Sequence, residues 1–329
     1  MPRRPAAEET GRPLSVFLLK RFLTFVATLF GASLVVFLVL EILPGDPAQL
    51  MLGLDAQPDT LAALRTKLGL DRPPTERYLS WIGGLMVGEL GISYTYSVPV
   101  AELIGERLQV TVPLALMAIA ISTTLALTLG VYAASRHNTA GDWGVMIFSQ
   151  LGIAVPSFWF AILLVLLFAV TLGWFSAGGF PGWAGGTWPA IKALILPALS
   201  LALVQGAILA RVTRSAVLEV MREDFVRTAR AKGLSRRATL WAHVLRNALI
   251  PVVTILGLQL SALLTGTIII ENVFFLPGLG RLVFQSISQR DLVVVKDVVV
   301  LFAALVVVVN FAVDLIYVAI DPRLKGQDA

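Results

Sequence analysis

The chain has 329 residues, of which 57% are hydrophobic and 14% are charged. A water-soluble protein of this length does not have such a composition, so a soluble globular domain is excluded and a membrane protein is indicated. The net charge of +5 comes from Lys and Arg gathered between apolar runs, which is typical of membrane orientation and not of a nucleic-acid-binding groove.

The first predicted element is a membrane span over residues 17–42. Lys20 and Arg21 precede an apolar run that extends to Leu40, which is too long for the hydrophobic region of a secretory signal peptide. The run ends in EILPGDP, without a small-residue cleavage pattern. We therefore expect a retained span.

A long polar segment, residues 43–109, follows the first span. Within it, Leu61, Leu64 and Leu68 recur at helical spacing, and Asp59 precedes them as a candidate N-cap. This pattern predicts one short amphipathic helix between the first two spans.

Apolar runs long enough to cross a bilayer predict five further spans, at residues 110–134, 145–172, 194–213, 248–270 and 292–319. Pro156 lies inside the third span and predicts a kink there. Lys296 and Asp297 begin the last span, where we expect them to reach water at the interface. The predicted fold is an all-α polytopic membrane protein, a single transmembrane domain over residues 1–329 with six transmembrane helices.

The orientation follows from the distribution of Lys and Arg. They are abundant before the first span and in residues 214–247, and few in the loops on the other side. This predicts cytoplasmic N and C termini, an external segment at 43–109 and a cytoplasmic loop at 214–247.

The sequence offers no catalytic chemistry of its own. It has no cysteine, only two distant histidines, and no GxxxxGK[ST], HExxH or GxSxG pattern, so we expect no metal site, no bound cofactor and no enzyme activity. The charges assigned to the spans, all near span ends, are Glu41, Lys296, Asp297 and Asp314. The absence of a central carboxylate argues against an ion-coupled carrier, and Gln205 and Gln259 are predicted to form hydrogen bonds across helices.

The basic loop at 225–251 contains no acidic residue. Phe225, Ala229 and Gly233 recur at four-residue spacing and form a narrow strip of mostly small side chains between cations. Gly233 is predicted to end one helix, and Ser235 to cap a second helix from Arg236 to about residue 247. The simplest explanation of the charge is topology alone, but the strip and the glycine also suit docking into the groove of a partner protein.

At these residues the chain resembles the EAA loop of ABC-importer permeases, whose pattern is EAA, three residues, Gly, nine residues and I-x-L-P. Arg227–Ala229 and Gly233 occupy the first half, and the chain departs from the pattern at the Glu, the Ile and the Pro. Nearly the whole chain is similar to the B-type permease of the dipeptide/oligopeptide/nickel family, through the stretches LPGDP, LGLDRP, YLSWIGGLMVGELGIS, RVTRSAVLEVMREDFVRTARAKGL, ENVFFLPGLGRLV, QRD and VNFAVDLIYVAIDPR.

The resemblance implies a type I ABC importer permease in the bacterial inner membrane that forms half of a peptide translocation pathway. The implied partners are a second homologous permease in a heterodimer, two cytoplasmic ATPase subunits that use ATP and Mg²⁺, an external substrate-binding protein and membrane lipid. The implied ATPase-coupling residues are Phe225, Arg227, Thr228, Ala229, Arg230, Ala231, Lys232, Gly233, Leu234 and Ser235.

Several alternatives remain open from the sequence. The substrate of such a permease could instead be a nickel chelate or glutathione, and other classes are a secondary carrier, a channel or an intramembrane enzyme. PGLGRL at 277–282 is either an ordinary glycine-containing loop or part of a re-entrant element at an external gate. The residues of that candidate gate are Phe274, Phe275, Leu276, Pro277 and Gly278.

Overall fold

The computed structural model of the chain describes residues 14–42, 46–53 and 56–320. Within these ranges the backbone forms thirteen α-helices: α1 (Leu14–Ile42), α2 (Pro47–Leu52), α3 (Pro58–Lys67), α4 (Pro74–Val87), α5 (Val100–Ser135), α6 (Ala140–Ala154), α7 (Ser157–Leu164), α8 (Thr187–Val220), α9 (Asp224–Ala231), α10 (Arg236–Thr239), α11 (Leu245–Val273), α12 (Leu279–Ser288) and α13 (Leu292–Ile320). Short π-helical stretches extend α7 over Val165–Thr171 and join α10 to α11 over Leu240–Val244.

In the described part of the chain, five continuous helices are long and apolar enough to cross a membrane: Leu19–Ile42, Val100–Ser135, Thr187–Val220, Arg236–Val273 and Leu292–Val313. They match five of the six predicted spans. The second predicted span is longer than expected, because α5 begins ten residues before position 110 and takes in the end of the predicted external segment.

The remaining span is broken. Helices α6 and α7 are inclined by 105° at Val155–Pro156, a larger change than the kink expected from Pro156. The pair nevertheless crosses the bundle. Asp142 near the start of α6 contacts Arg214 near the end of α8, whereas Gly179 beyond α7 donates a backbone hydrogen bond to Phe274, just past the end of α11. Counted in this way the bundle has the six predicted crossings.

The two ends of the bundle differ in chemistry. We call the end that carries residues 136–139 and 221–239 the basic end, and the end that carries residues 46–99 and 274–291 the segment end. At the segment end, the predicted short helix is present as α3, but its N-cap residue is Gln57 and not Asp59, which lies in the first turn. Three further helices there, α2, α4 and α12, were not predicted.

Some sequence features lie outside the described residues. These are the terminal basic residues at 1–13 and 321–329 and positions 43–45 of the LPGDP motif. The side chain of Asp314 is likewise outside the description. Of LPGDP, Asp46 caps α2 by accepting a hydrogen bond from the Ala48 N–H at 3.0 Å.

Helix α8 lies at the centre of the packing, with 61% of its most apolar window buried, against 6% for α1. Small residues allow α5 and α8 to approach closely. A Cβ added at Gly130 would lie 2.6 Å from the Thr213 Cβ and 2.8 Å from the Ala210 carbonyl oxygen, and one at Gly206 would lie 3.3 Å from the Ser122 carbonyl oxygen. Membrane helices associate through close contacts of this kind because lipid provides no hydrophobic driving force between them.

Two predictions about polar residues in the spans have different outcomes. The expected bond across helices is confirmed for Gln259, whose side-chain Nε2 donates to the Gln205 carbonyl oxygen at 3.1 Å. The expectation that Asp297 reaches water is wrong. This side chain is 2% exposed and accepts a 2.6 Å hydrogen bond from the indole N–H of Trp81, because α4 covers this part of α13 from the segment end.

A buried ion pair links the third span to α8 at the basic end. The Arg214 guanidinium donates to both carboxylate oxygens of Asp142, at 2.5 and 2.8 Å, and Asp142 also accepts from the Asn138 N–H at 3.0 Å. The His137 ring lies 3.1 Å from the same carboxylate. With Asp142 only 3% exposed, the carboxylate depends on these partners.

We expect Arg214→Ala to lower the free energy of unfolding by about 3–5 kcal/mol, because it leaves a buried carboxylate without its main partner. The matched control is Arg227→Ala, which removes an exposed pair with Asp224 and should cost less than about 1 kcal/mol. Thermal unfolding of the detergent-solubilised protein measures both variants. Equal losses of stability in the two variants would contradict the conclusion that the buried Asp142 carboxylate depends on Arg214.

Candidate functional site

The predicted helix–glycine–helix turn is present at the basic end. Helix α9 ends in a turn where the Gly233 N–H donates to the Arg230 carbonyl at 3.0 Å and Gly233 has a φ of +92°. Only glycine adopts such a backbone readily. The Ser235 hydroxyl then caps α10 by accepting from the Ala238 N–H at 3.2 Å, so both predicted helix boundaries are confirmed.

The orientation of α9 corrects the predicted strip. Val226 is packed in a core cluster with Val217 and Val244, and Ala229 is also buried. The strip of Phe225, Ala229 and Gly233 is therefore not a continuous outer surface. The outward residues are instead Phe225, Arg227, Thr228, Arg230, Ala231, Lys232, Gly233, Leu234 and Ser235. Periodicity marked the small residues but could not tell which side of such a short helix faces the core.

Helix α10 is not a separate element, contrary to the predicted second helix ending near residue 247. It continues through the π-helical turn into α11, so that one helical rod runs over Arg236–Val273. Pro251 lies inside this rod without breaking it. The turn at Gly233 is thus the last break in the chain before the rod begins, and any force applied to α10 acts directly on the fifth span.

The exposed surface of this loop is strongly cationic. Arg227, Arg230, Lys232, Arg236 and Arg237 are all exposed. Of these five cations, only Arg227 forms an ion pair with a described residue, the Asp224 carboxylate of the same helix at 3.3 Å. A surface with so many unpaired cations is suited to an acidic partner or to anionic headgroups.

The candidate gate at the segment end is only partly free. Phe274 and Leu276 are 1% and 0% exposed and belong to the core cluster, whereas Phe275 is 64% exposed with a φ of +53°. The Arg281 guanidinium lies 5.0 Å from the centre of the Phe275 ring. Two of the three residues expected to form an apolar wedge are therefore fixed in the bundle, and Phe275 alone can contact another molecule.

Helices α11 and α12 form a helical hairpin that turns at residues 274–278. Sequence reasoning missed the residue that shapes this hairpin, Glu271, which is fully buried. One carboxylate oxygen accepts from the Thr111 hydroxyl at 2.6 Å, and the other accepts from the Gly280 and Arg281 N–H groups at 2.7 and 3.2 Å. Thr111 in turn accepts from the Leu279 N–H at 2.9 Å. The carboxylate therefore caps α12 and ties α5, α11 and α12 together. The signal for it was a glutamate within ENVFFLPGLGRLV, at the end of an apolar run.

A second polar cluster at the segment end surrounds a cavity of about 230 Å³ between α1, α4 and α13. Glu41 pairs there with Arg77, and the Lys296 ammonium lies 5.1 Å from the centre of the Trp81 ring. Tyr94, in the connection between α4 and α5, also lines the cavity, and its burial raises the pKa of the phenol to about 12. The Glu41–Arg77 pair joins α1 to α4, and the contact of Lys296 with Trp81 joins α13 to α4, so the cluster is a structural joint of three helices.

We expect Gly278→Ala to destabilise the hairpin, because the added methyl group would overlap the Glu271 carboxylate and force it from its cap. Overpacking of this kind costs roughly 1–3 kcal/mol. The control is Gly144→Ala in α6, where the new Cβ meets no atom within 4 Å. Thermal unfolding in detergent compares the two; a hairpin variant as stable as the control would show that the carboxylate moves aside without cost.

Two family models match this chain. The model described as "Binding-protein-dependent transport system inner membrane component" matches residues 126–326, and its N-terminal companion, "Binding-prot-dependent transport system membrane comp, N-term", matches residues 14–115. Together they match part or all of every described helix from α1 to α13 and leave out only residues 116–125 within α5.

Curated relatives are similar over nearly the full length. A putative peptide transport system permease protein of Brucella abortus (strain 2308) is 43% identical over 95% of this chain and 99% of its own. The di/tripeptide transport system permease protein DppB of Pseudomonas aeruginosa (strain UCBPP-PA14) is 39% identical, over 94% and 99%. The oligopeptide transport system permease protein AppB of Bacillus subtilis (strain 168) is 36% identical, over 95% and 100%.

Among solved structures, a crystal structure of an amino acid ABC transporter with histidines superposes with a TM-score of 0.51 at 15% identity. The match covers 66% of this chain and 93% of the other. At this identity the similarity concerns the fold.

Proposed function

The chain belongs to the binding-protein-dependent transport system inner membrane component family, and we propose that it forms one half of the translocation pathway of an ATP-driven peptide importer. It is a permease subunit of an ABC importer and a multi-pass protein of the bacterial inner membrane. In our proposal a second, homologous permease completes the pathway. Two ATPase subunits bind at the basic end, and an external binding protein delivers substrate at the segment end.

The proposed substrate class rests on the relatives. Proteins 36–43% identical over at least 94% of this chain are named as permeases for peptides, for di- and tripeptides and for oligopeptides.

The proposed ATPase contact rests on the turn between α9 and α10. Its side chains are exposed, its cations are mostly unpaired, and α10 is continuous with α11. The continuity is the observation that carries the proposal, because a partner that moves α10 also moves a transmembrane helix. Accumulation of Lys and Arg at this end supports a cytoplasmic location, where ATP is available.

In this mechanism the chain hydrolyses nothing. ATP binding draws the two ATPases together and displaces the turn at Gly233. The rod from Arg236 to Val273 carries that displacement to the segment end, where Glu271 links it to α5 and α12. Only interactions that differ between the two states of the pathway contribute to the conformational change.

The direct test is purification through a tag on this chain, followed by uptake measurements in proteoliposomes. We expect a second permease and two ATPase chains to co-purify, and peptide uptake to require both ATP and the binding protein. Transport by this chain alone, without ATP, would show it to be a secondary carrier or a channel. ATP-dependent uptake of glutathione or a nickel chelate, but not of peptides, would retain the importer and overturn the substrate.

We expect Gly233→Trp to abolish ATP-driven uptake, by changing the backbone and shape of the turn that the ATPase contacts, while membrane insertion remains normal. The matched control is Gly53→Trp, which places the same residue at a similar φ of +88° at the segment end, also in open space. The measurements are uptake and the amount of co-purified ATPase. Full uptake by Gly233→Trp would remove the coupling role from this turn.

A further inference from the structure

A large groove opens at the basic end, between α5 and the helical rod that begins with α10. Its volume is about 930 Å³, which is within the range of ligand-binding pockets. It is lined by Thr124, Leu127, Thr128, Val131, Tyr132, Ser135, Arg136, Met221, Arg236, Arg237, Leu240, Trp241 and Leu245. None of these residues belongs to the turn centred on Gly233.

The groove is apolar along its length. Its lining on α5 extends from Thr124 to Arg136, which corresponds to about 18 Å of helix at 1.5 Å per residue. Leu127 and Val131 face Leu240 and Leu245 across it. Because this stretch of α5 belongs to a membrane span, an occupant at that depth has to be apolar, since an unsatisfied polar group in hydrocarbon is costly.

The mouth of the groove is cationic. Arg136, Arg236 and Arg237 line it, and none of them has an acidic partner among the described residues. Within the described residues, the one side-chain hydrogen bond of these three arginines is a long one, 3.5 Å, from the Arg236 guanidinium to the Ser135 carbonyl oxygen. Three guanidinium groups thus line one groove without a described counter-charge.

Two aromatic side chains flank the same mouth. Tyr132 is 48% exposed and Trp241 is 58% exposed. Tyr and Trp concentrate at the level of the lipid headgroups, where one part of the side chain contacts hydrocarbon and the other contacts water. We take these two residues to mark the headgroup level, and the three arginines line the same groove.

We propose that this groove is a binding site for an anionic phospholipid, with the phosphate between Arg136, Arg236 and Arg237 and one acyl chain lying along α5. The cationic mouth suits the phosphate of the headgroup, and the apolar depth suits the acyl chain. The site is separate from the translocation of substrate, and it does not depend on the identity of the transported compound.

Other occupants fit the groove less well. The N-terminal residues 1–13 carry three arginines against two glutamates, so the cationic mouth would repel them. An acidic loop of an ATPase could pair with the arginines but would leave about 18 Å of apolar groove unfilled. We treat ATPase docking as an alternative outcome of the experiment.

The experiment uses the full chain, purified in detergent with the subunits that accompany it. Native mass spectrometry measures the retention of phosphatidylglycerol and of phosphatidylcholine with the same acyl chains. We expect selective retention of phosphatidylglycerol. Glycerol phosphate, added as a competitor, should displace the bound phosphatidylglycerol poorly, since the competitor lacks the acyl chain. If glycerol phosphate displaces the lipid as well as added phosphatidylglycerol does, the site binds phosphate alone and the proposed lipid site is overturned.

The variants separate the two halves of the site. Arg136→Gln and Arg237→Gln should each weaken phosphatidylglycerol binding about fivefold, and the double variant about thirtyfold. Arg246→Gln is the matched control, since Arg246 is exposed at the same end but lies outside the groove; it should leave binding unchanged. Leu127→Trp, which fills the apolar part, should weaken a long-chain lipid more than a short-chain one.

Several results would overturn the site. These are equal retention of the two lipids, equal loss in the control and groove variants, or loss of the ATPase chains in place of the lipid. The last result would assign Arg136 and Arg237 to a protein interface. Peptide uptake in proteoliposomes is measured separately, so failure of the lipid site and failure of the importer assignment remain distinguishable.

Discussion

The close approach of α5 and α8 is the constraint on which the rest of the bundle depends. At Gly130 the two helices leave no room for a side chain, and at Gly206 an added Cβ would be tightly packed. Gly152 of α6 meets Ala207 of α8 with as little space as Gly130 has. Helices that meet through such small residues gain dispersion contacts and cannot slide past one another easily. The third and fifth spans also contact α8, so α8 fixes the positions of both functional ends.

Buried carboxylates reinforce this frame where the helices end. Asp142 does so at the basic end and Glu271 at the segment end. Asp291 adds a third link, by accepting from the Ser93 hydroxyl at 2.6 Å and from the Thr95 N–H at 3.0 Å. Each joins segments distant in sequence and is satisfied by several donors, as a buried charge requires. The ends are therefore held by directional bonds, whereas the middle of the bundle is held chiefly by shape, with the Gln259–Gln205 hydrogen bond as an addition.

The sequence predicted the features that depend on local composition. Apolar length identified six crossings, and Gly233 with Ser235 identified the turn between α9 and α10. It failed where the outcome depends on neighbours distant along the chain. Glu271 looked like an ordinary residue at the end of a span, because Thr111, its main partner, is 160 positions away. Likewise, Ala229 fitted a spacing pattern. Only the packing of α9, whose Val226 lies in a core cluster with Val244, shows that Ala229 faces inward.

The uninterrupted rod of Arg236–Val273 has a mechanical consequence. Its 38 residues extend over about 57 Å at 1.5 Å per residue, so it acts as a lever with one arm in the basic loop and the other at the hairpin. A tilt of about 10° around one end displaces the other by about 10 Å over that length. Such amplification means that a modest tilt of the rod at the basic end is geometrically sufficient to displace the segment end by that distance.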